Sequence, residues 1–321
     1  MRFFELFPLY TRPDSEVRND IVRLLKADGD VDELHLLSLI KYSKKKHQSV
    51  NFSADYGKTA LHLAAEKGLT SVVMGLVRAD ANIDAQDKRR GTPPVIFFAI
   101  ENGHKKTVKC LKDLGASIEK QWNGRTVLHW ALDYGKWDVA EYLLDVGAKL
   151  NWVDDCYRTP IATASFNHGL SKDWILEKVK YQIGLGWSDG SEFFVCAAQA
   201  GLADLLVYLK ESCGVYVNTR RKDGKTALLV VAWQPNKSDE AIMSLLCRMS
   251  ADVDLQDEKG NAALHYAVEN GSLAMTKILI NSGAKQNILN KKGQTPLDLA
   301  GLDSSDKDIY EMLRHASTED R

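Results

Sequence analysis

The fold is decided by residues 59–68, which read Thr-Ala-Leu-His-Leu-Ala-Ala-Glu-Lys-Gly. The stretch returns as Thr-Val-Leu-His-Trp-Ala-Leu-Asp-Tyr-Gly at 126–135 and as Ala-Ala-Leu-His-Tyr-Ala-Val-Glu-Asn-Gly at 262–271. A shorter copy, Thr-Pro-Leu-Asp-Leu-Ala, occupies 295–300. Such self-similarity indicates one supersecondary unit used many times, with each unit burying its apolar face on its neighbours.

The copies recur at a nearly fixed period. Their first positions fall at 59, 92, 126, 159, 192, 226, 262 and 295, so neighbouring copies lie 33 to 36 residues apart. This period, with the pattern Thr-Pro-Leu-His-x-Ala, resembles the ankyrin repeat family, whose unit is a hairpin turn followed by two antiparallel helices. The resemblance covers about residues 50 to 315. It implies an all-α fold with short β-hairpin turns, an ankyrin-repeat α-solenoid of about seven repeats plus N- and C-terminal caps.

The sequence divides into four segments around this repeat. We expect an apolar N-terminal extension over 1–13 and a degenerate N-terminal capping repeat with a lysine-rich loop over 14–50. Ankyrin repeats are predicted over 51–289, and a C-terminal capping repeat with a short tail over 290–321. Caps are expected because a terminal repeat needs a polar outer face for solubility.

The copy at 92 departs from the common frame. Gly103, the glycine that can end the first helix in a left-handed conformation, lies eleven residues after Thr92, whereas Gly68 lies nine after Thr59. Bulky Phe97-Phe98 is expected where other copies carry a pair of alanines. We expect the two extra residues to lengthen the first helix or the loop between the two helices.

The repeated histidines favour structure over chemistry. His62, His129 and His265 occupy equivalent positions one or more repeats apart, too distant to share a metal ion. The resemblance implies that this histidine bridges backbone groups of adjacent units. The predicted structural repeat motif comprises Thr59, His62, Thr126, His129, His265 and Thr295. The other histidines lack metal-ligand spacing, and no phosphate loop or nucleophile motif occurs, so we expect no metal, no cofactor and no enzyme activity.

The composition of the chain argues against nucleic-acid binding and membrane insertion and indicates a cellular compartment. The formal net charge of −1 gives no overall attraction to nucleic acid or membrane. The longest apolar run is far shorter than the roughly 18 residues that span a bilayer, so we expect no membrane insertion. Five widely spaced cysteines, an odd number without a CxxC pair, are typical of a reducing compartment. We expect a monomer in the cytoplasm or nucleus, with secretion into a host cell as an open alternative.

The aromatic residues suggest where a partner would bind. Six of the seven tryptophans lie between 122 and 187. Trp122 falls at a hairpin tip, where we expect solvent exposure, and the resemblance places Tyr134 on the concave face at the end of a first helix. Exposed Trp and Tyr suit interfaces because they bury a large area with few rotors to freeze. Trp130 and Tyr266 replace a usual leucine and are expected in the core or between repeats.

Cations recur at or beside the hairpin tips, interleaved with acidic residues. A solvated mixed rim and a true basic stripe are equal alternatives, and a true stripe would steer an acidic segment toward the groove. These cations are Lys88, Arg89, Arg90, Arg125, Arg158, Arg220, Arg221, Lys222, Lys225, Lys259, Lys291 and Lys292. The candidate partner-binding residues are Tyr56, Glu66, Lys67, Lys88, Arg89, Arg90, Trp122, Asn123, Arg125, Asp133, Tyr134 and Arg158.

The resemblance implies a non-catalytic protein–protein interaction scaffold or adaptor. It would bind a partner protein along the concave groove, through an extended or acidic segment of that partner. One alternative is a regulatory or targeting subunit of a partner enzyme, including a bacterial effector that acts on host proteins. Another is binding of nucleic acid or anionic surfaces through the basic hairpin tips, against which the net charge near zero weighs. Because this fold serves many partners, the fold alone does not select one.

Overall fold

The computed structural model describes residues 13–27, 29, 31–87, 91–167, 171–184, 190–233, 239–300 and 307–319. Almost all of the predicted N-terminal extension therefore lies outside the described residues, as do the candidates Lys88, Arg89 and Arg90. The chain separates into two compact units, Met1–Asp155 and Cys156–Arg321.

The first unit consists of helix pairs joined by tight turns. Its helices are α1 (Asp14–Lys26), α2 (Glu33–Lys45), α3 (Ala60–Glu66), α4 (Thr70–Arg78), α5 (Val95–Glu101), α6 (Lys105–Asp113), α7 (Val127–Asp133) and α8 (Trp137–Asp145). A 3-10 turn covers Asp55–Gly57, and the strands β1 (Gln121–Trp122) and β2 (Arg125–Thr126) form an antiparallel hairpin. Isolated bridges pair Ser53 with Thr59 and Asp87 with Thr92 at the equivalent places in other copies.

The second unit repeats this plan. Its helices are α9 (Pro160–Asn167), α10 (Lys172–Gly184), α11 (Ser191–Gln199), α12 (Ala203–Glu211), α13 (Ala227–Trp233), α14 (Asp239–Arg248), α15 (Ala263–Glu269), α16 (Leu273–Asn281), α17 (Pro296–Ala300) and α18 (Lys307–Glu319). A bridge between Arg220 and Thr226 closes the turn before α13.

In each unit the helices form two layers. In the first unit α1, α3, α5 and α7 pack in succession as the odd-helix layer, while α2, α4, α6 and α8 form the even-helix layer. In the second unit α11, α13, α15 and α17 likewise pack in succession, and α14 contacts α16. The predicted fold class, helix pairs with short hairpin turns, is confirmed.

Packing between repeats holds these short helices in place. An isolated helix of seven residues such as α3 is unstable in water, because nucleation costs more than so few hydrogen bonds return. Leu61, Ala64 and Ala65 of α3 are buried, as are Val72 and Leu76 of α4. The alanines let the odd helices approach closely, and the larger residues fill the space between the two layers.

The structure corrects the expectation for the copy at 92. Helix α5 has seven residues, as do α3 and α7, and Gly103 follows it at the same distance as Gly68 follows α3. The two extra residues lie before α5, where Pro93 and Pro94 separate the hairpin from the helix. The prediction of a longer helix or interhelical loop is therefore wrong.

The two prolines explain this shift. Thr92 still pairs with Asp87 in the hairpin, but Pro94 takes the place that Thr59 occupies before α3. A residue before proline is disfavoured in the α conformation, which keeps Pro93 out of the helix. The position of the alanine pair is consequently held by Ala99-Ile100, and the prediction of Phe97-Phe98 there is also wrong.

Candidate functional site

The repeated histidine ties one repeat to the next. The backbone N–H of Thr59 donates to His62 Nδ1 at 3.0 Å, so the ring proton sits on Nε2 and is donated to the carbonyl of Pro93, also at 3.0 Å. His265 makes the same pair of bonds, to the Ala262 N–H and the Gln294 carbonyl. His129 accepts from the Thr126 N–H at 3.1 Å.

These histidines are neutral structural groups. Burial lowers the pKa of His62 to about 4, and the hydrogen bond to Pro93 only partly opposes that effect. Burial likewise lowers the pKa of His265. In the copy at 295 an aspartate takes this position, and Asp298 accepts both the N–H and the hydroxyl of Thr295. Asp298 thus supplies the cap of the helix through a carboxylate.

A first candidate surface surrounds Tyr56. The Tyr56 side chain is 82% exposed and its backbone φ is +51°, on the turn closed by the bridge between Ser53 and Thr59. The hydroxyl of Thr92 donates to the Tyr56 carbonyl and fixes the turn against the next repeat. Beside it lies a pocket of about 430 Å³, which we call the Tyr56 pocket. Its lining residues are Leu25, Lys26, Tyr56, Lys58, Leu63, Glu66 and Lys67.

The described lining of the Tyr56 pocket combines an apolar wall with three lysines and one glutamate. Lys58 forms an ion pair with Glu66 at 2.8 Å, and its ammonium lies 4.6 Å from the centroid of the Phe98 ring. Lys67 donates to the carbonyl of Ala27, which ends α1. The candidates Tyr56, Glu66 and Lys67 therefore meet at one place, and Lys58 joins them.

A second candidate surface, the Arg125 cluster, consists of Arg125, Trp130, Asp133 and Tyr134. Arg125 pairs with Asp133 at 2.8 Å, and its guanidinium lies 5.0 Å from the Trp130 ring centroid. Trp130 stacks on Tyr134 at 5.5 Å and meets Phe97 edge to face at 5.9 Å. Burial, followed by the charges of Glu101 and Asp133, raises the pKa of the Tyr134 hydroxyl.

The hairpin that carries Trp122 differs in part from the sequence expectation. Trp122 pairs with Arg125 across the hairpin, and Asn123 and Gly124 form the turn with φ of +51° and +70°. Two successive positive φ values are typical of the hairpin turns whose twist matches the strands. Asn123 is exposed, but Trp122 is half-buried, so the expectation of an exposed Trp122 is only partly met. Tyr266 is buried, and its hydroxyl donates to Asp257.

A spacing of eight residues recurs in these contacts. The second residue before a first helix lies beside the residue that ends it, as in Lys58 with Glu66 and Arg125 with Asp133. In the second unit the ammonium of Lys225 lies 4.5 Å from the ring centroid of Trp233, at the same two positions. A cation eight residues before a carboxylate or an aromatic is thus the sequence signal that locates Lys58, which the candidate set omitted.

Comparison with known proteins gives the family. The model described as ankyrin repeats, in three copies, matches residues 61–154, 193–288 and 229–320, together more than half of the chain. The chain belongs to the ankyrin repeat family. The short helix pairs, the hairpin turns and the bridging histidines are the features of that family in this chain.

Three relatives illustrate the similarity. The chain is 26% identical over 267 residues to the E3 ubiquitin-protein ligase KEG of Arabidopsis thaliana, covering 76% of this chain and 16% of that protein. It is 24% identical over 295 residues to human ankyrin repeat and SOCS box protein 16, covering 90% and 61%. It is 27% identical over 188 residues to human neurogenic locus notch homolog protein 1, covering 58% and 6%. The chain spans less than two thirds of the length of each of these relatives.

A solved ankyrin repeat domain is also similar. The crystal structure of the ankyrin repeat domain of Bcl-3 matches with 20% sequence identity and a TM-score of 0.41. The match covers 92% of this chain and 96% of that domain.

Several hairpin-tip cations of this ankyrin repeat chain are paired with carboxylates, among them Arg125, Arg221 and Lys225. Arg221 is only 3% exposed, with Nε and Nη2 donating to the Asp223 carboxylate at 3.0 and 2.7 Å. Its Nη1 donates to the Tyr157 carbonyl at 3.1 Å, and Lys225 also approaches Asp223. Arg158 is half-buried at the start of the same unit. Among the described tips, the mixed-rim interpretation therefore fits better than a free basic stripe.

The described residues contain no group of three or more His, Cys, Asp or Glu side chains placed to hold a metal ion. Within the same part of the chain, no helix has both the length and the apolar character needed to cross a membrane.

Proposed function

We propose that this ankyrin repeat chain is a non-catalytic scaffold or adaptor whose first unit binds a partner protein. The binding surface follows the odd-helix layer and its hairpin turns, and it includes the Tyr56 pocket and the Arg125 cluster. The observation that carries the proposal is Tyr56, a large aromatic side chain held almost fully in solvent by a turn of positive φ. Such conformations cost free energy, and functional sites are where they concentrate.

The charge of the Tyr56 pocket supports an extended or acidic partner segment. Among the described residues, its lining includes Lys26, Lys58 and Lys67 but only one carboxylate, Glu66. An acidic segment would bring a counter-charge to these ammonium groups while apolar side chains contact Leu63 and Tyr56. Binding by this mode weakens as salt rises, because salt screens exposed charges. Nucleic-acid binding through the hairpin tips has less support, since Arg125 and Arg221 are already paired.

The remaining sequence predictions extend this proposal. We keep the four segments 1–13, 14–50, 51–289 and 290–321, with about seven repeats between the caps, on the support of the repeat frame. A monomer in the cytoplasm or nucleus is proposed from the composition and from the five free cysteines. A bacterial effector delivered into a host cell remains an alternative within this proposal.

A second candidate function is targeting or regulation of a partner enzyme. It is favoured by one observation: the chain matches only 16% of a protein named as an E3 ubiquitin-protein ligase and 61% of a protein named for its SOCS box. Repeats that form one part of larger proteins can select what the rest acts on. An enzyme recovered as the captured partner would favour this candidate.

The test is a cross-linking pull-down from cell lysate with matched variants. The intact chain is compared with Tyr56→Ala and with Tyr216→Ala, a tyrosine 70% exposed in the second unit. We expect Tyr56→Ala to weaken capture of one specific protein at least about tenfold, as for an interface anchor, and Tyr216→Ala to leave it unchanged. Circular dichroism first checks that both variants fold.

A double variant, Trp122→Ala with Tyr134→Ala, tests the Arg125 cluster in the same assay. Equal capture by the intact chain, the Tyr56 variant and this double variant would overturn the proposed surface. Loss with the double variant alone would restrict the surface to the Arg125 cluster.

A further inference from the structure

The even-helix layer of the first unit carries a concentration of positive charge. Helix α2 and the residue after it hold four lysines and one glutamate, α6 holds four lysines and one aspartate, and the only charged residue of α4 is Arg78. The whole chain has a net charge of −1, so this excess is local. We call this surface the basic face; its exposed cations are Lys41, Lys44, Lys45, Lys46, Arg78, Lys105, Lys106 and Lys109.

These cations spread over two dimensions. Helix α2 packs on α4 and α4 packs on α6, and Lys44 donates to the Arg78 carbonyl where α2 and α4 end. Two interhelical spacings of 8–10 Å make the face roughly 20 Å wide, and 1.5 Å per residue makes it about 13–20 Å long. Lys41 and Lys45 lie on the same exposed side of α2, four residues apart, and Lys106 and Lys109 lie on the same exposed side of α6, three residues apart.

The basic face differs from the hairpin tips in the pairing of four of its lysines. In the described part of the chain, Lys41, Lys105, Lys106 and Lys109 have no carboxylate within 4.0 Å. The ion pair seen on α6 joins Lys112 to Asp113 at 4.0 Å and is exposed to solvent. Such a pair adds little, so the ammonium groups of Lys41, Lys105, Lys106 and Lys109 remain available to an anionic surface.

Neighbouring acidic residues set the limits of the face. Helix α8, which packs beside α6, carries Asp138, Glu141 and Asp145 and no lysine or arginine. Asp80 follows α4, and Glu33 lies at the start of α2. The positive surface is therefore bounded at α6 on one side and confined to three adjacent helices.

We propose that the basic face docks on the surface of an anionic lipid bilayer. A planar spread of lysines matches a planar array of lipid headgroups, to which each cation adds electrostatic attraction. Leu34 is 81% exposed and lies about two turns from Lys41 and about three turns from Lys45 on the same exposed side of α2, where it can contact the interfacial region. The chain lies on the membrane by this mode and does not span it.

Nucleic acid fits the same face less well. Single strands are held by aromatic side chains that stack on bases, and arginine is preferred over lysine for nucleic-acid recognition because its planar guanidinium binds phosphate in a bidentate way. Tyr42 is the only Tyr, Trp or Phe in α2, α4 and α6, and it is buried. Seven of the eight exposed cations are lysines.

Flotation with lipid vesicles tests the proposal on the full chain. Vesicles of phosphatidylcholine alone are compared with vesicles that also contain phosphatidylserine, at low and at physiological salt. We expect binding only to the phosphatidylserine vesicles, weakening as salt rises. The variant Lys41→Glu with Lys109→Glu should lower the partition coefficient about a hundredfold or more, since each charge contributes about fivefold and each reversal changes two charges.

A matched variant separates the basic face from net charge. Lys277→Glu with Lys291→Glu makes the same change of charge at exposed lysines of the second unit, and should retain most of the binding. Equal loss with both double variants, or no binding to phosphatidylserine vesicles, would overturn the proposal. Binding of a short DNA duplex that Lys41→Glu with Lys109→Glu abolishes, without vesicle binding, would assign the face to nucleic acid instead. The pull-down of the partner protein is a separate assay, so the two proposals can fail independently.

Discussion

At the scale of single residues, the buried histidines couple stability to pH. The pKa of His62 is lowered to about 4 by burial, whereas an unfolded chain has the ordinary value of 6.5. Between these two pH values the unfolded state binds more protons than the folded state. The contribution of His62 to the free energy of unfolding is therefore fully present above pH 6.5 and decreases as the pH falls toward 4. We expect His62 alone to cost about 2 kcal/mol of unfolding free energy between pH 7 and pH 5.

Urea denaturation of the full chain at several pH values measures this effect. His62→Gln should lower stability at pH 7 and reduce the slope between pH 7 and pH 5. His35→Gln replaces an exposed histidine and should keep the slope of the unmodified chain. An unchanged slope in His62→Gln would show that the histidine is not held neutral in the fold.

Arg221 is the residue-scale example of a cation that sequence reading places on the surface and the structure buries. Burial alone raises the pKa of Asp223, but the hydrogen bond and charge of Arg221, with those of Lys225, hold it below its ordinary value. Arg221→Ala removes the main partner of this carboxylate and frees the Tyr157 carbonyl. We expect a loss of about 3 kcal/mol, as when one member of a buried pair is removed.

The comparison variant for this prediction is Lys222→Ala. Lys222 is adjacent and exposed, and surface substitutions usually stay within about 0.5 kcal/mol. Chemical denaturation of the two variants should therefore give clearly different midpoints. Equal midpoints would mean that Arg221 is a solvated surface cation after all.

At the scale of elements, the ends of the odd helices are fixed by glycine and by the neighbouring repeat together. Gly68 has φ of +71°, and a Cβ there would lie 2.6 Å from the ring of His104. That ring bonds the Glu66 carbonyl at 3.0 Å and so caps the end of α3. Gly68→Ala thus adds a steric clash to the cost of the left-handed conformation, and we expect a loss of at least about 2 kcal/mol.

Gly91→Ala is the control that separates the steric clash from the cost of the left-handed conformation. Gly91 has the same φ of +71°, but a Cβ there meets no atom of the described residues within 4 Å. It should cost only the about 1–2 kcal/mol of a left-handed alanine, measured by thermal or urea denaturation. If both variants lose equal stability, the contact with His104 does not restrain the helix end.

The elements also show how far the sequence could lead. The period near 33 and the Thr59-to-Gly68 pattern specify local chemistry, so the helix pairs and their turns were predictable. The helix after Thr92 was misplaced because Thr92-Pro93 copies the usual helix start, while Pro94 sets the actual one. The sequence pattern does not show whether Pro93 or Pro94 directly precedes the helix. In the structure, the pairing of Thr92 in the hairpin and the hydrogen bond from His62 to the Pro93 carbonyl keep Pro93 outside the helix.

The candidate site could be predicted only in part from the sequence. Tyr56, Glu66 and Lys67 are among the partner-binding residues predicted from the sequence, and in the structure they line one pocket. The half-burial of Trp122 and the pairing of Arg221 depend on contacts that involve other turns and helices, which single-sequence reading cannot supply. The role of these residues in partner binding stays a prediction.

At the scale of the whole molecule, the two helix layers of the first unit carry two different proposed binding surfaces, one for a protein and one for lipid. The odd-helix layer carries the proposed partner site, and the even-helix layer carries the basic face. Each repeat contributes one helix to each layer, so neither surface needs residues of the other. Substitutions at exposed sites that share no partner usually have independent effects, and Tyr56, Lys41 and Lys109 are exposed residues of different turns and helices.

This arrangement predicts that partner and lipid bind at the same time. Once the pull-down has identified the partner, vesicles of phosphatidylserine and phosphatidylcholine are loaded with the full chain and mixed with that partner. Tyr56→Ala should keep the chain on the vesicles and lose the partner, while Lys41→Glu with Lys109→Glu should lose the vesicles and keep the partner. If either variant abolishes both interactions while remaining folded, the two surfaces are coupled, and the separation of functions between the layers is wrong.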